Sequence, residues 1–311
     1  MTIREFGTLP SGKSVEEVTL SGGRMKAKVL TYGAVLRSLE LDGKPLILSF
    51  DKLEDYLAND AHCGLHSGDF SPSIIAEGLS DASWQKDLHQ RVWQLEEVSG
   101  NSVLLSCVSY AGEKSTANAV EVSCRFTLTH RDTLRIEIVG KADKPSRFSP
   151  SFHSYFNLGG GSHVNHHRIM IPADGIVSGK ADSATSQHIE DVAGTPYCLR
   201  EMREIGAEQA YDHDYCLRMQ RLSFPGLSAV VQEPESGLKM EVWSTEPGVH
   251  FQDVQGHEAK GPAHLSSPFG NRSGICLEPR SWQKRAGARE YSEETMSRNK
   301  PYRQVTEFRF C

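Results

Sequence analysis

The sequence predicts an all-β fold, one large antiparallel β-sandwich, on three observations. Apolar and polar residues alternate with the two-residue period of half-buried strands, not the 3.6-residue period of helices. Clusters of Ser, Gly, Asn, Asp and Pro separate the alternating runs, as tight turns between antiparallel strands require. No amphipathic helices lie between the runs, which argues against parallel βαβ units and for sheet packed on sheet. The 311 residues can bury a sizeable core. All-β chains of this size often form one unit, and no internal repeat or Pro/Gly/Ser-rich linker divides this one, so a single domain over residues 1–311 is expected.

Taken in order, residues 25–41 alternate on either side of Tyr32-Gly33 and read as two strands. One short helix is expected at residues 52–58. Residues 90–110 read as strand, turn at Ser99-Gly100-Asn101, strand, and residues 120–139 repeat the pattern around His130-Arg131-Asp132. Residues 227–242 pair two strands across Pro234-Glu235-Ser236-Gly237. Shorter β-rich runs fall at residues 166–172, 274–278 and 302–310. Residues 61–84 and 256–271 are the most loop-like segments, and long loops in compact domains usually carry function.

Composition removes several classes. A net charge of −6, with no dense Lys/Arg patch interleaved with aromatics, gives no footprint for a nucleic acid. The seven cysteines are odd in number and widely spaced, with no C-x-x-C, so neither a disulfide framework nor a zinc knuckle is expected. Several, such as Cys107, lie in apolar runs as small buried hydrophobes. Together with the lack of a signal-like N-terminus or an 18-residue apolar run, this points to a soluble protein of a reducing, cytoplasmic compartment.

Five segments can carry chemistry. Phe152-His153-Ser154-Tyr155-Phe156-Asn157-Leu158-Gly159-Gly160 places a histidine in an aromatic strand ending in glycines. Such a histidine can exchange protons near neutrality, or can be a core residue satisfied by backbone. Gly274-Ile275-Cys276-Leu277-Glu278-Pro279-Arg280 closes an apolar strand with a carboxylate. Burial would raise its pKa and Arg280 would pull it back; the plainer reading is a rim salt bridge. In Tyr211-Asp212-His213-Asp214-Tyr215, alternation puts Asp212 and Asp214 on one side and His213 on the other. That suits sugar hydroxyls beside aromatic faces, or a solvated strand edge, and excludes all three residues from one metal ion. Pro247-Gly248-Val249-His250-Phe251 offers His250 as a hydrogen-bonding group or a core histidine. His62 and His66 have metal-pair spacing, but glycine and the lack of helical flanks argue for a loop, and no metal is expected.

In order, these segments resemble the aldose 1-epimerase (galactose mutarotase) family over nearly the whole chain. The family's N-H-S-Y-F-N-L is similar to residues 152–158, with Phe152 replacing Asn, and its x-D-H-x-x-x-L to residues 211–217. P-G-x-Q-F is matched at residues 247–251 with His250 for Gln, L-E-P-Q at residues 277–280 with Arg280 for Gln, and L-x-Y-G-A at residues 30–34. The segment 139–145 also fits. The resemblance implies a galactose mutarotase-like supersandwich that binds a free sugar, with no cofactor. It implies His153 as general acid, Glu278 as general base, Asp212 as a holder of sugar hydroxyls, and His250 at a substrate-binding position shared with Arg280.

Departures cluster in the expected recognition shell. Asp69 stands where the family's G-R-x-x-N-R-I carries a sugar-touching Arg, which implies preference for neutral or cationic, amino-bearing sugars over phosphorylated ones. The family's L-H-G-G loop is deleted, leaving His89, His62 or His66 as substitutes, and Trp282-Gln283-Lys284-Arg285 replaces the usual Phe-Pro-Asp. The resemblance implies that Glu278 deprotonates the anomeric hydroxyl while His153 protonates the ring oxygen. The alternatives are a sugar-binding protein without catalysis, and an isomerase or lyase acting on a sugar-like molecule. Small carbohydrates are the expected partners, with no nucleic acid or membrane, and the chain is expected as monomer or homodimer.

Overall fold

The computed structural model describes residues 1–60, 74–76, 85–109, 119–148, 150–178, 188–253, 270–282 and 295–311. Three antiparallel sheets, of five, nine and six strands, carry most of these residues. The hairpins expected from alternation are present. Met25–Leu30 pairs with Leu36–Leu41, Gln94–Val98 with Ser102–Ser109, and Gly226–Gln232 with Lys239–Ser244. Val120–Thr129 pairs with Thr133–Ala142, and its alternate residues Val120, Val122, Cys124, Phe126 and Leu128 are all buried. Between these two strands Asp132 takes a φ of 49°, which a short polar side chain tolerates. The final strand, Tyr302–Phe310, lies in the nine-stranded sheet between Lys239–Ser244 and Thr133–Ala142. The helix runs Leu53–Asp60, ending two residues beyond the expected segment. No helix among the described residues is long and apolar enough to cross a membrane.

One buried apolar cluster takes residues from all three sheets, among them Leu20, Ala27, Phe126, Ile136, Phe308, Phe251 and Leu277. This is the core expected when the apolar faces of sheets pack on one another. Two aromatic contacts in it matter for function. Phe152 packs edge-on against Phe126 at 5.6 Å between ring centroids, and Phe156 lies 4.9 Å from Phe308. Core packing therefore clamps the chain just before and just after His153. Asn157 then ends the segment. Its Nδ2 donates to the carbonyls of Gly161 and Ser273, and its Oδ1 accepts from the amides of Gly159 and Gly160. Gly160 adopts a positive φ of 66°, so the glycine run is a turn that needs glycine there.

The Tyr32-Gly33-Ala34 turn docks on the segment that ends the 3-10 turn Gln85–Gln90. Gly33 N donates to Arg91 O at 2.8 Å and Trp93 N to Thr31 O at 2.7 Å. Gly33 has a φ of 62°, and a Cβ there would collide with the carbonyl of His89. The position therefore needs glycine on two independent grounds.

Candidate active site

The site is set by strand register in the six-stranded sheet. Its order is Tyr155–Phe156, Ile275–Arg280, Gly248–Asp253, Asp212–Cys216, Gly175–Ser178 and His188–Asp191. Asp214 pairs with His250, and His250 with Glu278. Asp212 pairs with Gln252, Gln252 with Cys276, and Cys276 with Tyr155. Directly paired residues share a face, and residues two apart on a strand share a face. Asp212, Asp214, His250, Gln252, Cys276, Glu278 and Arg280 therefore all project from one side. His213, Tyr215, Val249, Phe251 and Leu277 project from the other, where all but His213 belong to the core.

His153 reaches this polar face from the neighbouring segment. Its Nδ1 lies 2.7 Å from Glu278 Oε1, and both side chains are buried, at 5% and 4% exposure. The His153 ring also meets Tyr155 edge-on at 4.8 Å. Cys276 Sγ lies 3.5 Å from the same Glu278 oxygen. The other Glu278 oxygen is 3.9 Å from Arg280 Nη1. His153 Nε2 is buried and has no hydrogen-bond partner among the described residues.

The second half of the face is a chain of charges. Arg280 Nε donates to Asp214 Oδ1 at 2.7 Å. His250 Nδ1 lies 3.2 Å from that oxygen, and His250 Nε2 lies 3.0 Å from Asp212 Oδ1. A ring with a carboxylate at each nitrogen is satisfied only when both nitrogens carry hydrogen, that is, as imidazolium. The Asp212 side chain is 53% exposed, so this chain ends on a carboxylate open to solvent.

These contacts fix the protonation states. Burial works against charge on His153, but its ion pair with the buried Glu278 carboxylate outweighs it and holds its pKa well above the ordinary histidine value. Burial alone would raise Glu278; His153, then Arg280 and His250, overcome it and hold the carboxyl well below the usual range. The expected pull of Arg280 is therefore real but second to that of His153. Burial and Arg280 both oppose charge on His250, and its hydrogen bonds to Asp212 and Asp214 prevail to raise its pKa. The resting pair is thus a protonated histidine beside an ionised glutamate.

Five of the residues singled out from sequence (His153, Glu278, Asp212, His250 and Arg280) are brought together. His89 sits on the turn Gln85–Gln90 and makes no hydrogen bond to any of them; its Nδ1 is buried without a partner among the described residues. Asp69, His62 and His66 lie outside the described residues, as do residues 256–269 of the second loop. Sequence reasoning gives no role to three residues of the face, Asp214, Gln252 and Cys276. Alternation puts Asp214 on the side of Asp212, and only its cross-strand link to Arg280 reveals its importance. Cys276 reads as part of an apolar run.

Comparison with known proteins adds a family. The family model for aldose 1-epimerase matches residues 16–309. The chain is 26% identical to the galactose mutarotase of Bos taurus, over 98% of this chain and 97% of that protein. It is 24% identical to the aldose 1-epimerase of Haemophilus influenzae, over 97% of each. Among solved structures it is similar to galactose 1-epimerase from Lactobacillus acidophilus, with a TM-score of 0.78 at 19% identity, covering 100% of this chain and 98% of that one. It is also similar to an aldose epimerase homologue from C. elegans, with a TM-score of 0.77 at 18% identity, covering 96% and 99%.

Proposed function

The chain belongs to the aldose 1-epimerase family, and from that premise we propose that His153 and Glu278 are the acid and base with which it interconverts the anomers of a free sugar. It is an isomerase of the aldose 1-epimerase type with the galactose mutarotase-like fold. The observation that carries the assignment of roles is the buried 2.7 Å contact between a histidine whose pKa is raised and a glutamate whose pKa is lowered. Each group rests in the protonation state that its step needs.

The reaction follows from those states. The Glu278 carboxylate takes the proton of the anomeric hydroxyl. The O–H electrons form the carbonyl, the bond from the anomeric carbon to the ring oxygen breaks, and the ring oxygen takes a proton from His153. His153 Nε2, buried and unpartnered among the described residues, is the nitrogen that can turn to a sugar atom. Rotation about the bond next to the carbonyl exposes its other face. Closure then runs with roles reversed: His153 recovers the ring-oxygen proton and Glu278 returns its own to the carbonyl oxygen. The half-exposed Asp212 carboxylate is an acceptor for sugar hydroxyls, held in place by His250. We place the enzyme in a reducing, cytoplasmic compartment, a reading supported by Cys107, Cys124 and Cys276, which are buried as small apolar residues.

The test is anomer exchange followed by NMR saturation transfer over neutral, amino-, acidic and phosphorylated sugars. Exchange is expected for one class and should fall by about 10² to 10⁴ in Glu278→Gln, the range for loss of one acid–base group. A Glu278→Gln protein that exchanges anomers at the wild-type rate would overturn the assignment. Sugar binding without exchange in the wild type would turn the reading to a binding protein.

A further inference from the structure

Cys276 has no part in the acid–base reaction, yet it stands inside the pair. It shares a strand face with Glu278, two residues on, and pairs across strands with Tyr155, which follows His153 by two. His153, Cys276 and Glu278 are all buried, and their ligand-type atoms lie within 4.8 Å of one another. We propose that these three side chains form a binding site for a thiophilic divalent cation of the zinc class, and that the ion is a reversible inhibitor of the enzyme.

The geometry needs little adjustment. Zinc bound at about 2.0 to 2.3 Å from nitrogen, oxygen and sulfur ligands sets those ligands roughly 3.3 to 3.8 Å apart in a tetrahedral site. Cys276 Sγ and Glu278 Oε1 are already 3.5 Å apart. His153 Nδ1 and Glu278 Oε1, at 2.7 Å, are drawn together by a shared proton that the ion would replace. A neutral imidazole, a thiolate and a carboxylate carry two negative charges against the ion's two positive ones. One sulfur with one imidazole selects zinc or cobalt over magnesium or calcium, which prefer all-oxygen sites. Three protein ligands leave the fourth position to water or a sugar hydroxyl.

Two features make this an inhibitory site and not a structural one. Metal-binding histidines usually donate their other N–H to a fixed partner, and His153 Nε2 has none among the described residues, so an ion here is held more weakly and leaves more readily than in a structural site. Arg280, 3.9 Å from the second Glu278 oxygen, opposes added positive charge. The inhibitory consequence rests on His153 and Glu278 being the acid and base, because the ion would occupy both. The metal site itself does not rest on that reading.

Two readouts separate the claims. In the exchange assay, zinc chloride should abolish wild-type activity, a chelator should restore it, and saturating sugar should raise the zinc needed. With inhibition measured against each protein's own metal-free rate, Cys276→Ala should need at least about tenfold more zinc, since losing even an outer-shell partner costs that much affinity. Independently of activity, cobalt(II) added to the metal-free protein should give a thiolate-to-cobalt charge-transfer band, absent in folded Cys276→Ala. Equal zinc sensitivity in the two proteins, a cobalt band that survives in Cys276→Ala, or a wild-type protein that gives no band would each overturn the site. A band lost with Cys276 in a protein without exchange activity would uphold the site and reject only the inhibition.

Discussion

Along Gly248–Asp253 and Ile275–Arg280, Val249, Phe251 and Leu277 alternate with His250, Glu278 and Arg280. The first three are at most 1% exposed and the second three at most 5%, so the two faces of this sheet differ little in burial and wholly in chemistry. Burying apolar area is favourable at roughly 25 cal/mol per Å². Burying charges costs desolvation that an ion pair only partly recovers. The core face therefore holds the sheet together, while the polar face is carried by it. A site of paired charges is tolerable here because the opposite side of the same strands is fixed by aromatic packing, with Phe251 4.7 Å from Tyr211 and 6.5 Å from Tyr215.

The strongest test of this division removes one residue from each face. Phe251→Ala should lower stability by about 3 to 5 kcal/mol through lost transfer energy and a cavity. It should leave the anomer-exchange rate of the protein that remains folded within a few-fold of wild type. Glu278→Gln should do the opposite, abolishing exchange while costing less stability, because His153 can shed its proton when its counter-charge goes. Urea midpoints and exchange rates on both proteins decide it. A Glu278→Gln protein as unstable as Phe251→Ala would make the polar face part of the scaffold.

Two buried histidines sharpen the same contrast. Unlike His153, His167 is held neutral: burial pushes its pKa down to about 4, against a smaller opposing pull from Glu233. Its Nε2 accepts a hydrogen bond from the Leu158 amide at 3.1 Å, which a proton there would abolish. An unfolded histidine takes up its proton near pH 6.5, as reference values have it. The unfolded state therefore binds more protons than the native state between pH 6.5 and about 4, and stability falls as pH is lowered through that window. The loss should reach about 2 to 3 kcal/mol at the acid end, at 1.36 kcal/mol per pKa unit. Urea midpoints at the two ends of the window, on the wild type and His167→Gln, measure it. A pH-dependence of stability that is the same in both proteins would show that His167 does not cause it.

Much of this was legible in the sequence because strand parity is a local property. Alternation through residues 120–139 and 227–242 found hairpins to within a few residues, and the five residues recognised in four motifs meet on one face. What escaped reading depends on register between distant segments. Asp214 meets Arg280 across 66 positions of chain, and its burial with a cation cannot be seen from Asp212-His213-Asp214 alone. Thr2–Thr8 has no buried residue in its strand and so shows no buried-face period. Ser14–Gly22 hides Glu17 inside, satisfied by Arg37 Nη1 at 2.8 Å and Arg4 Nε at 2.7 Å, which breaks the apolar pattern that strands are recognised by. The edge strand His188–Asp191 is exposed at every position.

Asp214 also gives the finest division within the polar face. Two positions that depart from the family pattern, His250 and Arg280, both contact its Oδ1, at 3.2 Å and 2.7 Å. It can act on recognition, through His250 to the open carboxylate of Asp212, or on chemistry, through Arg280 to Glu278. The distances favour recognition. His250 bonds Asp212 at 3.0 Å, whereas Arg280 stands 3.9 Å from Glu278 Oε2. Asp214→Asn keeps the shape and removes the charge, so KM should rise about tenfold while kcat stays within about threefold, the signature of lost uniform binding. The tenfold corresponds to roughly 1.4 kcal/mol, the scale of one charge-assisted hydrogen bond. A fall in kcat at unchanged KM would instead assign Asp214 to the acid–base pair, with Arg280 as the connection.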